Sequence, residues 1–261
     1  VDAIISDGAR NTIAKIEFST KKTTETSSGN TLEIDDLDEG YYVVKDVTNL
    51  NGTDEANSAW IVQVAGPTSI AIKNAKPQVD KQVLDETADA EAGHTNGWGE
   101  SADHAINESF QFKLIADMPE DADLDTYTSY KLVFTDTMAD SVTFESIERV
   151  TVGGTTIDAS KYSCTATEGQ AGGSWTLTIA DLKQCITGSI SNADVEVVYN
   201  AHLNEKAGIG NTDVNKNKVG LQYSNNPDAT GEGGTDSLGK TSEDTVWVFT
   251  YEMPNTKLDQ T

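Results

Sequence analysis

The sequence predicts an all-β protein made of β-sandwich domains in tandem, the second enlarged by loop insertions. Three observations carry that expectation. Short segments alternate apolar and polar residues with a period of two, Gly, Asn, Asp and Pro turn residues separate them, and helical periodicity is confined to a few short pieces.

In chain order, a brief helical pattern over Asp2 to Asp7 precedes the strand-like segments "GYYVVKDV", "AWIVQVAG" and "SIAIKN". Pro77 and the polar cluster of "IKNAKPQV" then mark a boundary. Residues 1–75 are short of the roughly 100 that a sandwich takes, so they read as part of a first domain. Residues 76–252 read as a second, larger domain with the strands "QVDKQVL", "SFQFKLIA", "YKLVFTD", "SVTFESIERV", "KYSCTAT", "SWTLTIA", "DVEVVYNAHL", "KVGLQYS" and "TVWVFTYEM". Short turns or helical pieces are expected near Ala180 to Cys185 and Asn204 to Ala207. The acidic loop "MPEDADLDTYTSY" and the Gly-rich loop "NNPDATGEGGTDSLGKTSED" are the insertions. Residues 253–261 read as the start of a linker or further domain.

The net charge of −25, from 43 acids against 18 bases, sets this chain against polyanionic partners. Phosphate binding needs a basic patch, and the only arginines are Arg10 and Arg149, so neither nucleic acid nor an anionic lipid surface is expected. No apolar run approaches the roughly 20 residues of a membrane span, and no charged-then-apolar leader opens the sequence. The chain therefore reads as soluble as given and as a mature or trimmed piece of something longer, and its wealth of Asp, Glu, Thr, Ser, Asn and Gly is common in exported bacterial proteins. Cys164 and Cys185 flank a predicted hairpin. In an oxidising compartment they would pair and stabilise by about 3 kcal/mol through loop closure; two buried free thiols fit the spacing equally well.

Most chemistry-bearing residues read as ordinary ones. His94, His104 and His202 are scattered without a carboxylate or cysteine at metal-ligand spacing, so no metal and no cofactor is expected. "GGSWT" around Ser174 lacks the context of a nucleophile elbow, and the chain does not read as an enzyme. Asp121, Asp123 and Asp125 have the spacing of a calcium loop, but Thr126 and Leu132 stand where Gly and Glu are wanted, so a solvated acidic loop is expected.

Lys81 is different. Val79, Lys81 and Val83 share one face of a strand, which puts an ammonium on the apolar side. The alternation of Tyr130, Leu132 and Phe134 continues to Asp136, and that of Asn217, Val219, Leu221 and Tyr223 puts an amide inward. Burial lowers a lysine pKa and raises an aspartate pKa, so the pair can exist as neutral amine and neutral acid. A neutral amine is a nucleophile. Against Asn217 it can attack the side-chain carbonyl while Asp136 polarises that carbonyl and shuttles protons, which releases ammonia and leaves a Lys81–Asn217 amide.

At these residues the chain resembles the backbone, or shaft, subunit of Gram-positive sortase-assembled pili, whose Ig-like domains carry intramolecular isopeptide bonds. "KPQVDKQV", "ESFQFKLIADMPEDA", "YKLVFTDTM" followed by "SVTFESI", "YNAHLNEKAGIGN" and "NKVGLQYSNNP" are similar to that family's middle domain, in the same order. The resemblance implies Ig-like domains with Lys81 as isopeptide lysine, Asn217 as its partner and Asp136 as catalytic acid. "AIKN" resembles the site where a sortase joins a lysine to the sorting signal of the next subunit, which implies Lys73 as the linkage lysine, although Ala71 and Ile72 stand where Tyr and Pro would be. Neighbouring pilin subunits are the implied partners, cell adhesion the implied role, and an extracellular, cell-wall-anchored pilus the implied location. The alternative is an adhesin stalk or tip that binds host protein or glycan, with Trp98 in "HTNGWGES" as the loop tryptophan on offer.

Overall fold

Fourteen strands run through the described residues of the computed structural model, which are 37–45, 51–57, 59–69, 76–85, 94–121, 124–125, 127–210, 214–226 and 237–252. They are β1 (Gly40–Lys45), β2 (Ala59–Val64), β3 (Gln78–Leu84), β4 (Trp98–Gly99), β5 (Ser101–Asp103), β6 (Ser109–Asp117), β7 (Leu132–Val152), β8 (Thr155–Thr156), β9 (Ser163–Cys164), β10 (Ala171–Ile179), β11 (Val195–Leu203), β12 (Lys216–Ser224), β13 (Leu238–Lys240) and β14 (Asp244–Phe249). The expected β-sandwich is the architecture found.

β7 organises the sandwich. Its first half, residues 132–138, lies between β10 and β12, whereas its second half, from Val142 to Val152, pairs with β11. One layer then runs β4–β3–β6–β11, and the other gathers β10, β12, β14 and β5. The sequence reads "YKLVFTD" and "SVTFESIERV" as two strands, but they form one of 21 residues. Thr137, Met138, Ala139 and Asp140 between them include no glycine or proline to stop the backbone, and the strand changes neighbours instead of ending. The register slip on β10 falls beside this crossing, at Gly172. There φ is +65°, and a Cβ would sit 2.8 Å from the Cα of Asp140, so only glycine fits the close approach.

The alternation read from sequence is the alternation of burial. Phe112 and Leu114 on β6, Phe134 on β7, Leu177 on β10, Val197 on β11 and Leu221 on β12 are all essentially inaccessible and form one core. Each such side chain contributes about 1.5–3 kcal/mol of burial. β3 and β14 meet where Asp244 Oδ2 accepts the Lys81 backbone N–H at 2.7 Å.

β1 and β2 form a separate two-stranded antiparallel sheet, with Gly40 opposite Val64 and Lys45 opposite Ala59. The segment between them, residues 51–57, is laid along the end of the sandwich. Gly52 N–H donates to Leu238 O at 2.7 Å, Asn57 N–H to Asn225 O at 2.7 Å, and Lys240 N–H to Thr53 O at 2.9 Å. Residues grouped by sequence with the first domain therefore pack on the second. Of the short helical expectations, the stretch from Ala180 to Cys185 holds a 3-10 turn at Leu182–Gln184, while Asn204 to Ala207 closes a single turn. Asp2 to Asp7, Lys73 with most of "SIAIKN", and residues 253–261 lie outside the described residues. No helix among the described residues is long and apolar enough to cross a membrane.

Candidate functional site

The inward positions of four strands converge at the centre of the sandwich. β3 supplies Lys81, the first half of β7 supplies Asp136, β12 supplies Asn217 and β11 supplies Tyr199, and all four are fully buried. Antiparallel pairing sets Val219 opposite Asp136 and Asn217 opposite Met138, so Asn217 and Asp136 are diagonal neighbours on one face. Lys81 and Tyr199 reach them from the other layer.

The polar contacts form a closed set. Lys81 Nζ donates to Asp136 Oδ2 in a short ion-paired contact and to the Tyr199 hydroxyl at 3.3 Å. Tyr199 in turn donates to Asp136 Oδ2 at 3.1 Å and accepts from Asn217 Nδ2 at 2.6 Å. Two acceptors are left over: Asp136 Oδ1 and Asn217 Oδ1 are buried without a hydrogen-bond partner.

The surroundings are aromatic. Lys81 Nζ stands 4.9 Å from the centroid of Phe112 and 5.3 Å from that of Tyr199. The Tyr199 ring packs at 5.3 Å against Phe112, 5.7 Å against Phe144 and, edge-on, 5.1 Å against Trp175, itself the cross-strand partner of Asp136. In this dry environment burial pushes the Lys81 pKa down and the Asp136 pKa up, each toward its neutral form, and the attraction between the two charges opposes both shifts. Burial, and then the Asp136 charge, hold the Tyr199 hydroxyl well above its ordinary value. The arrangement can deliver a neutral amine, a proton donor and an amide carbonyl to one water-free point.

Lys81, Asp136 and Asn217 are thus brought together. Tyr199 is the member that sequence reading passes over: its inward register in "DVEVVYNAHL" is legible, but an inward tyrosine looks like any core aromatic.

The remaining candidates have structural work. Cys164 and Cys185 stand as free, half-buried thiols. Cys164 lies on β9 opposite Leu177, while Cys185 follows the 3-10 turn and directs Sγ to Asp181 O at 3.5 Å. Burial raises both thiol pKa values. Asp125 spends its carboxylate on Ser189 Oγ at 2.5 Å and Ile190 N–H at 2.9 Å, which ties two loops together. His94 bonds Ser101 O, His104 bonds Leu84 O and stacks on Phe110, and His202 pairs with Glu145. Trp98 belongs to the short strand β4 instead of a loop, and Lys113 Nζ lies 4.5 Å over its ring.

No family model and no curated protein sequence matches the chain. Solved structures do. The major pilin subunit BcpA of Bacillus cereus superposes with a TM-score of 0.52 at 19% identity over 82% of this chain and 56% of its own. A substituted form of the same pilin gives 0.53 at 16%, again over 82% and 56%. The 35 kDa C-terminal fragment of the major pilin GBS80 of Streptococcus agalactiae gives 0.49 at 20%, over 67% and 56%. This chain therefore spans little more than half the length of BcpA, and over that span it has the β-sandwich fold of that major pilin.

Proposed function

We propose that this chain is a shaft module of a Gram-positive surface pilus, anchored to the cell wall and supporting adhesion, whose central sandwich is closed by an autocatalytic amide between Lys81 and Asn217. The observation that carries this reading is the buried ion pair of Lys81 and Asp136 set against an asparagine amide, with one oxygen on each of Asp136 and Asn217 bare. A buried pair of this kind costs several kcal/mol in desolvation, so its presence asks for a chemical reason. Transfer of the ammonium proton to Asp136 makes the amine a nucleophile. It also gives Asp136 the one donor that both bare oxygens lack, so the acid can polarise the Asn217 carbonyl. Nζ then bonds to Cγ, the Cγ–Nδ2 bond breaks, and one ammonia leaves with a proton that began on Nζ.

The product joins β3 in one layer to β12 in the other, and a pull on the strand ends would have to break a covalent bond before it separated the layers. The chemistry turns over once and makes the protein its own product, so the role is structural and not enzymatic. Intact mass of the purified chain tests the bond: one ammonia less than the sequence mass is expected, and the full sequence mass refutes it. Subunit joining would use Lys73, on the likeness of "AIKN" to a sortase linkage site. Lys73→Ala is expected to stop polymer formation by the cognate sortase, and unimpaired polymers would reassign the linkage to another lysine.

A further inference from the structure

Amide formation between Lys81 and Asn217 leaves a proton to be moved. The neutral amine carries two hydrogens and the amide product one, while the departing nitrogen must go from two to three. One proton therefore passes from Nζ to Nδ2 between attack and departure. Asp136 stands beside Nζ and interacts with the Asn217 amide, and the amide nitrogen itself donates to the Tyr199 hydroxyl. The Tyr199 oxygen is 3.3 Å from Nζ and 2.6 Å from Nδ2 and touches both reacting nitrogens.

We infer that the Tyr199 hydroxyl is a catalytic group of this reaction, relaying the proton that leaves Lys81 Nζ to the departing Asn217 Nδ2. The inference rests on the amide-forming reading above. The hydroxyl hands its own hydrogen to Nδ2 as it takes one from Nζ, so Tyr199 ends as it began and the sum is one new amide and one ammonia. A free phenolate is disfavoured at this depth, because burial opposes it, and the two transfers are therefore concerted. Phe112, Phe144 and Trp175 clamp the ring, which fixes the oxygen between the two nitrogens without cost at the moment of reaction. Before the reaction the same hydroxyl presents the amide by its nitrogen.

The test follows newly synthesised full chain by intact mass as a function of time. Tyr199→Phe keeps the ring and its aromatic neighbours and removes only the relay. Ammonia loss is expected to slow by about 100-fold, within the usual range for a proton-transfer group. A ring-fluorinated tyrosine at the same position restores the rate to near that of the wild type, which a purely packing role would not predict. Para-aminophenylalanine, which fills the same space with a far less acidic group, stays slow, and it decides the matter if the Phe variant fails to fold. Bonding at the wild-type rate in either slow variant overturns the relay and leaves the Lys81–Asn217 bond standing. A wild-type chain that keeps its ammonia overturns the bond itself, and the relay with it.

Discussion

Asn217→Ala removes the electrophile, and with it the Nδ2 hydrogen bond to Tyr199, while leaving the Lys81–Asp136 pair, so most of its effect is the loss of covalent closure. The loop from 81 to 217 contains roughly 140 residues, and closing a loop of that length in the unfolded chain stabilises the fold by about 5 kcal/mol on a chain-entropy estimate. In a domain of this size 1 kcal/mol shifts the midpoint by about 2–4 °C, so the variant should melt about 10–20 °C below the wild type. Asp136→Ala should be worse. It also prevents the bond, and it leaves the Lys81 amine buried without its carboxylate, a loss of about 3–5 kcal/mol more. The assay is thermal denaturation of wild type, Asn217→Ala and Asp136→Ala, each with its intact mass. Equal melting of wild type and Asn217→Ala, despite an ammonia difference in mass, would refute the loop-closure reasoning.

Thiol titration of the denatured, unreduced chain should find two free thiols, and the native chain should react slowly because burial raises both Cys164 and Cys185; absence of free thiol would show that the pair is oxidised. Stability should fall in alkali. Burial raises the pKa of Tyr130 and Tyr223, so above about pH 10 the unfolded chain releases protons that the native state retains, and the stability present below that value is lost at about 1.4 kcal/mol per pH unit for each tyrosine. Urea denaturation from pH 9 to 11.5 measures the slope. Tyr223→Phe should reduce that slope, and an unchanged slope would show that Tyr223 is not among the groups responsible.

Period-two alternation is a local property of an extended chain, and it was enough to give the long strands of the sandwich, though not the short β4, β5, β8 and β13, and the inward registers of Lys81, Asp136 and Asn217. Each of these registers depends only on the two or three residues to either side, so the oddity of a lysine, an aspartate and an asparagine among core valines and leucines is visible without a fold. What alternation cannot state is which inward positions meet. That "YKLVFTD" and "SVTFESIERV" are one strand depends on β7 exchanging β10 and β12 for β11, partners as far away in the chain as Tyr223 is from Leu132. The same crossing carries Asp136 into the layer opposite Lys81. The placement of Tyr199 between Lys81 and Asn217, the closure of β3 against Asp244, the docking of residues 51–57 on the larger sandwich and the separate fates of the two cysteines are likewise contacts between distant segments. They were decided by the packing of two layers into one core, where a tyrosine unremarkable in its own strand becomes the hydroxyl that joins an amine to an amide.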